Sequence, residues 1–164
     1  MISDKMIKVG MADLNTATNG EVLKTTGLGS CVGLSLYDPK QRIAGLAHVM
    51  LPSSSIAREV PINVAKYADT AIPELIERML AHGASIGSIQ AKMAGGAQMF
   101  TLPGQTDSLR IGPRNVESCL LMLEQYNIPL ISQDTGGNFG RTIEVSSENG
   151  ILTIRSVQKG IKEI

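Results

Sequence analysis

The chain has 164 residues, with 15 basic and 15 acidic side chains and a formal net charge of zero. That length supports a single domain, residues 1–164, with a real hydrophobic core. The charge balance excludes a basic nucleic-acid footprint and a polybasic lipid anchor, and 3% aromatics without Trp leave no stacking platform for single strands.

The first half reads as strands. Met6 to Gly10 is short and apolar, and Glu21 to Thr25 leads into the glycine-rich run Gly27-Leu28-Gly29-Ser30. Cys31 to Tyr37 and Arg42 to Leu51 are strand candidates, and the residues between them, Asp38 to Gln41, suit a hairpin tip. The middle turns helical. Ile72, Leu75, Ile76, Met79 and Leu80 repeat at i, i+3, i+4, i+7 and i+8, one apolar stripe, with Gly83 as the terminator and His82 as a cap residue. Pro73 implies either a helix that begins near it or an earlier turn, from Asn63, kinked there. Ile86 to Ala94 reads as a strand ending in Gly95-Gly96. A second helix spans about Pro113 to Asn127, with the stripe Val116, Cys119, Leu120 and Leu123. Leu130 to Ser132, Thr142 to Ser146 and Ile151 to Val157 return to strand, and Asn149-Gly150 predicts a type I′ turn with both residues at positive φ. The order predicts an α+β fold: a mixed or antiparallel, sandwich-like sheet core with two main helices packed on it.

The chemistry concentrates on two residues, Cys31 and His48. Cys119 sits on a helical apolar stripe and reads as core. Cys31 differs, because it follows two glycines that let the backbone bend just before a strand. His48 lies near the end of the next strand. With a tip at Asp38 to Gln41 the hairpin register sets Cys31 directly opposite His48, with Cβ atoms about 4.5–5.5 Å apart. A thiol beside an imidazole can form a thiolate–imidazolium pair, a strong nucleophile with a lowered thiol pKa. The two His and two Cys complete no zinc pattern. Gly95-Gly96 and Gly136-Gly137 fit turns and close backbone packing as well as substrate-facing loops, and Asp134 and Asn138 fit side-chain turn bonds. Phe100 fits a partner surface or the core equally well. The absence of an apolar N-terminal leader, of any run near ~20 apolar residues and of a C-x-x-C pair predicts a reduced cytoplasmic protein without membrane insertion.

Several ordered segments carry a family resemblance. Thr25-Thr26-Gly27-Leu28-Gly29-Ser30-Cys31, Tyr37-Asp38-Pro39 and Ala47-His48-Val49-Met50-Leu51-Pro52 resemble the signature of the chemoreceptor glutamine deamidase family, CheD. So do Lys66-Tyr67-Ala68-Asp69, the run Lys92 to Phe100, Ile111-Gly112-Pro113-Arg114-Asn115-Val116, and Asp134-Thr135-Gly136-Gly137-Asn138. The resemblance covers nearly the whole chain. It implies catalytic roles for Cys31 and His48, and places the third catalytic position, a Thr six residues before the Cys, on Thr25. Family members often carry a large aliphatic residue where this chain has Thr26. Strand alternation points the two hydroxyls to opposite faces, so only one of them can orient His48. The implied reaction is hydrolysis of glutamine side-chain amides on chemoreceptor helices through a thioester, with backbone N–H groups around Gly29, Ser30 and Cys31 holding the oxyanion. It needs no metal or organic cofactor. Receptor methylesterase activity at the same site is the alternative within that chemistry. Binding to a CheC-type phosphatase of phosphorylated CheY is the alternative of a regulatory kind.

Overall fold

A computed structural model describes residues 5–99 and 110–164. Ten strands and two α-helices follow in the order β1 (Met6–Lys8), β2 (Leu14–Ala17), β3 (Val22–Leu28), β4 (Val32–Asp38), β5 (Ile43–Val49), α1 (Ala68–Ala81), β6 (Gln90–Gly95), α2 (Ile111–Gln125), β7 (Leu130–Thr135), β8 (Arg141–Ser146), β9 (Leu152–Ser156) and β10 (Gly160–Glu163). The strands form two sheets, β1-β3-β8-β9-β10 and β2-β5-β4-β6-β7. Both are mixed, since β1 runs parallel to β3 and β7 parallel to β6. The expected α+β class, with a sandwich-like sheet core carrying two helices, is the observed architecture.

Burial explains the layering. Every residue of β4 and β5 is buried, so these strands are covered on both faces. Val32, Leu34 and Leu36 of β4, with Ile43, Ala47 and Val49 of β5, pack against Ile72, Leu75 and Met79 of α1 and Cys119 and Leu123 of α2. The alternate residues Cys31, Tyr37, Ala44 and Leu46 face the other sheet, where they meet Leu23, Leu28, Ile143, Val145 and Ile154. The layers are therefore helices, one sheet, then the second sheet. Each fully buried Leu at these positions contributes about 1.5–3 kcal/mol.

Several local expectations are corrected. The β4–β5 hairpin turns at Pro39–Arg42, because Asp38 pairs with Ile43. Asp38 fixes this end: its carboxylate accepts N–H bonds from Lys40, Gln41 and Ser85, and Arg42 closes the turn at φ 54°. The register is thus shifted by two residues, and His48 faces Gly33 instead of Cys31. The β8–β9 turn is not type I′. Asn149 does not have positive φ; Gly150 alone does, at 73°, and its N–H bonds back to Ser146 O. α1 starts at Ala68, whose N–H bonds to Leu51 O, and runs through Pro73. Leu80 and Leu120 are 41% and 39% exposed, whereas Ile72, Leu75, Ile76 and Met79 of the first stripe and Cys119 and Leu123 of the second are buried as expected.

Candidate active site

Three elements bring the predicted residues together. Thr25 lies on β3, and His48 lies on β5 of the facing sheet. Both are buried, and Thr25 Oγ1 hydrogen-bonds His48 Nδ1 at 2.7 Å across the sandwich. Thr26 is exposed, as alternation along β3 requires. His48 N–H bonds to Asp13 O, which fixes the backbone of β5 at this point. Cys31 precedes β4. A slip of two residues leaves side chains on the same face, so Cys31 stays on the His48 side of the sheet, as a diagonal neighbour instead of a facing one. At that position antiparallel neighbours are within reach of longer side chains. His48 Nε2 is buried and has no hydrogen-bond partner among the described residues.

The electrostatics differ from the expected ion pair. Burial pushes the Cys31 thiol up, with its own backbone N–H pulling more weakly in the other direction, and burial pushes the His48 imidazole down. Desolvation disfavours the charged form of each group and so works against a standing thiolate–imidazolium pair. The lowered thiol pKa expected from the sequence does not hold for this resting state. Thr25 supplies a hydroxyl and no negative charge, so it orients the ring without stabilising imidazolium as a carboxylate would.

The thiols therefore differ in accessible chemistry. Cys119 is fully buried on α2 and its thiol is pushed up to about 12. Iodoacetamide alkylation of the native protein is expected to modify Cys31 alone, at a rate that climbs with pH through a value above the ordinary ~8.5 of a free thiol. Peptide mapping after labelling across pH 6–10 measures this. Modification of Cys119 before unfolding, or a Cys31 rate already on its plateau at neutral pH, would contradict the burial argument.

The backbone around Cys31 is held on both sides. Cys31 O accepts from Gly96 N at 2.8 Å, and Gly29 O accepts from Ala97 N at 2.8 Å. The Gly29 N–H is turned to Gly27 O, so it is not free to hold an oxyanion. The Cys31 N–H faces its own thiol. Gly95 has φ 105°, and a Cβ there would stand 2.3 Å from Cys31 O. Gly95→Ala is thus expected to lower stability by about 1–3 kcal/mol, read as a lowered Tm. An unchanged Tm would mean the segment tolerates the shift.

The remaining glycine motif supports this segment. Gly136 N bonds to Gly95 O, and Gln98 N bonds to Gly137 O. Asp134 is not a turn former. It accepts from the buried Arg141, whose guanidinium lies 4.1 Å from the Phe139 ring centroid. Phe100 lies outside the described residues. His82 caps α1, its N–H bonded to Arg78 O and Met79 O. A groove of about 670 Å³ is lined by Gly27, Arg141, Thr142, Arg155 and Ile161, but by neither Cys31 nor His48.

Asn115 stands in the segment Ile111 to Val116, but the sequence assigned it no role. It is fully buried on α2 and donates from Nδ2 to Ser30 O and Met50 O, both at 2.9 Å. A polar residue on the inner side of an amphipathic helix was the available signal.

Comparison with known proteins bears on this arrangement. The family model described as CheD chemotactic sensory transduction matches residues 50–156. The chemoreceptor glutamine deamidase CheD of Halalkalibacterium halodurans is 50% identical over 159 residues, covering 97% of this chain and 98% of the relative. The protein of the same description from Bacillus subtilis is 46% identical over 159 residues, covering 97% and 96%. A probable chemoreceptor glutamine deamidase CheD of Lachnoclostridium phytofermentans is 50% identical over 160 residues, covering 98% and 99%. The family model begins beyond His48, whereas the full-length matches take in the segments that bear Thr25, Cys31 and His48. At this level of identity over almost the entire length, the chain belongs to the CheD family.

Proposed function

We propose that this chain hydrolyses the side-chain amide of glutamines on bacterial chemoreceptors, with Cys31 as nucleophile, His48 as general base and acid, and Thr25 as the orienting hydroxyl. The observation that carries the reading is the Thr25–His48 bond, which occupies Nδ1 and leaves Nε2 as the free ring nitrogen on the face shared with Cys31.

The roles follow from the resting protonation states. The mechanism uses the tautomer in which Nδ1–H donates to Thr25 Oγ1 and Nε2 carries the lone pair. As the amide enters, Nε2 takes the thiol proton and sulfur attacks the amide carbon. The carbonyl oxygen gains the charge and is held by the Cys31 N–H, with Ser30 adjoining. His48 then protonates the leaving nitrogen, ammonia departs, and the thioester remains. Water attacks that thioester with Nε2 as base, releasing glutamate and restoring the thiol. The low-dielectric site makes transfer from a neutral thiol to a neutral imidazole a reaction-coupled step rather than a standing ion pair.

The substrate reading rests on the descriptions of the relatives, which name chemoreceptors. The activity belongs in the cytoplasm, where the signalling helices of such receptors lie. Among the described residues no helix is long and apolar enough to cross a membrane. The CheC-type phosphatase as a regulatory partner rests on the family resemblance. Incubation with purified receptor cytoplasmic helices, followed by mass spectrometry, tests the function. Amide hydrolysis adds about one dalton per glutamine, whereas hydrolysis of a methyl ester removes about fourteen. Mass gain at glutamines with release of ammonia is expected; loss at methylated glutamates alone would make the protein a methylesterase.

A further inference from the structure

The β4–β5 ladder stops at the pair Val32–Val49, just short of the reactive thiol. Beyond it, Ser30 O and Met50 O belong to two strand ends that no longer bond to one another in the ladder. The side chain of Asn115 joins them. Both acceptors are carbonyls, so the group that meets them must be the amide nitrogen, and the two distances are 2.9 Å each. The Asn115 Oδ1 atom is buried and has no partner among the described residues. α2 can come this close because Gly112, one turn earlier, has no side chain: a Cβ there would stand 2.1 Å from Ala97 O.

The peptide bond converts this clamp into a statement about chemistry. In a planar trans peptide the C=O of one residue and the N–H of the next point in opposite directions. Holding Ser30 O toward α2 therefore turns the Cys31 N–H the other way, to the side where its own thiol lies. The following peptide is held as well, by Gly96 N on Cys31 O. We propose that Asn115 is the positioning residue of the oxyanion site: its amide fixes the Ser30–Cys31 peptide so that the Cys31 N–H meets the oxygen of the tetrahedral intermediate. Asn115 touches neither substrate nor reacting atoms. The inference rests on the amide-hydrolysis reading of the Cys31 site.

The test separates an N–H that must be aimed from a thiol that must be held. Asn115→Ala and Asn115→Ser are compared with wild type in glutamine turnover on receptor helices and in iodoacetamide alkylation of Cys31. Displacement of iodide by sulfur builds no oxyanion, whereas attack on the amide does. The expected result for Asn115→Ala is a kcat lower by about 30–100-fold with KM within about 3-fold, somewhat less than the ~10²–10³ of deleting an oxyanion donor outright. The alkylation rate should stay within about 3-fold at every pH. Asn115→Ser, which keeps one donor, should recover part of the lost kcat. A kcat near wild type overturns the proposal. So does alkylation that falls in step with turnover, since Asn115 would then be placing the thiol itself. Circular dichroism and Tm accompany each variant, and unfolding of both assigns Asn115 to the fold and likewise overturns it. Wild type that fails to convert glutamine sinks the amidase reading separately. In that event the same ratios are read on a receptor glutamyl methyl ester, whose hydrolysis passes through the same kind of oxyanion, and no kcat loss there would overturn the Asn115 role independently.

Discussion

Cys31→Ala is expected to abolish glutamine conversion while leaving the fold intact. The residue is 7% exposed, in the apolar layer between the two sheets. Removing one sulfur there costs about 1 kcal/mol of stability, within the range of ordinary substitutions. Catalysis responds on another scale. Without the thiol no thioester forms, and water must attack a resonance-stabilised amide directly, with only the positioned N–H and bound geometry to help. A loss of at least ~10⁴-fold in kcat follows, as for removal of other nucleophiles whose partners act as a unit. Conversion is measured on purified receptor helices, with circular dichroism as the folding control. A well-folded Cys31→Ala protein that still makes glutamate would remove Cys31 from the mechanism.

Replacing His48 is expected to be nearly as severe. His48→Gln keeps a side chain of moderate size in a fully buried site and so limits the cavity penalty. In the proposed mechanism it removes the group that takes the thiol proton and returns it to the leaving nitrogen. General acid–base catalysis of this kind contributes about 10²–10⁴-fold. Because burial lowers the pKa of His48, its acid limb in kcat/KM should fall below pH ~6.5, the ordinary imidazole value: protonation on the acid side removes the base. The linked stability has the same sign. An imidazole with a depressed folded pKa binds protons more readily when unfolded, so wild type loses stability as pH drops from ~6.5 toward the folded value, and the His48→Gln protein lacks this component. Thr25→Val removes the 2.7 Å bond to Nδ1 at constant shape and should lower kcat by roughly 10–100-fold, because it frees the ring rather than removing it. Thr26→Val, on the exposed face of β3, should be silent within about 0.5 kcal/mol in stability and close to wild type in rate. A larger rate loss for Thr26→Val than for Thr25→Val would contradict the orientation seen across the sandwich.

Much of this site was legible from local pattern. Strand alternation placed Cys31 and His48 on one face, and that survived an error of two residues in the register because parity is preserved. The same alternation sets Thr25 inward and Thr26 outward. The error itself came from Asp38, whose carboxylate caps the hairpin turn and also reaches Ser85 N, a contact no local reading of the tip could supply. The strands missed were short edge segments: β2 and β10 have only four residues each, and every residue of β10 is exposed. Too little apolar periodicity remains in such segments to signal a strand. Long-range features were illegible for a different reason. The Asn115 clamp on Ser30 spans 85 positions of sequence, and the desolvation that disfavours the charged forms of Cys31 and His48 comes from burial between two sheets. Thiol next to imidazole in sequence logic suggests an ion pair; two desolvated groups without a mutual hydrogen bond favour the neutral forms.

Partitioning by hydroxylamine tests the covalent route most directly. A thioester on Cys31 can be cleaved by hydroxylamine as well as by water, since either nucleophile expels the same thiolate. With hydroxylamine present, wild type should convert the same receptor glutamines partly to glutamyl hydroxamates, in proportion to the reagent, and Cys31→Ala should form none. Formation of glutamate alone at every hydroxylamine concentration, with turnover intact, would show that water attacks the amide without an acyl-enzyme and would contradict the mechanism built on Cys31, His48 and Thr25.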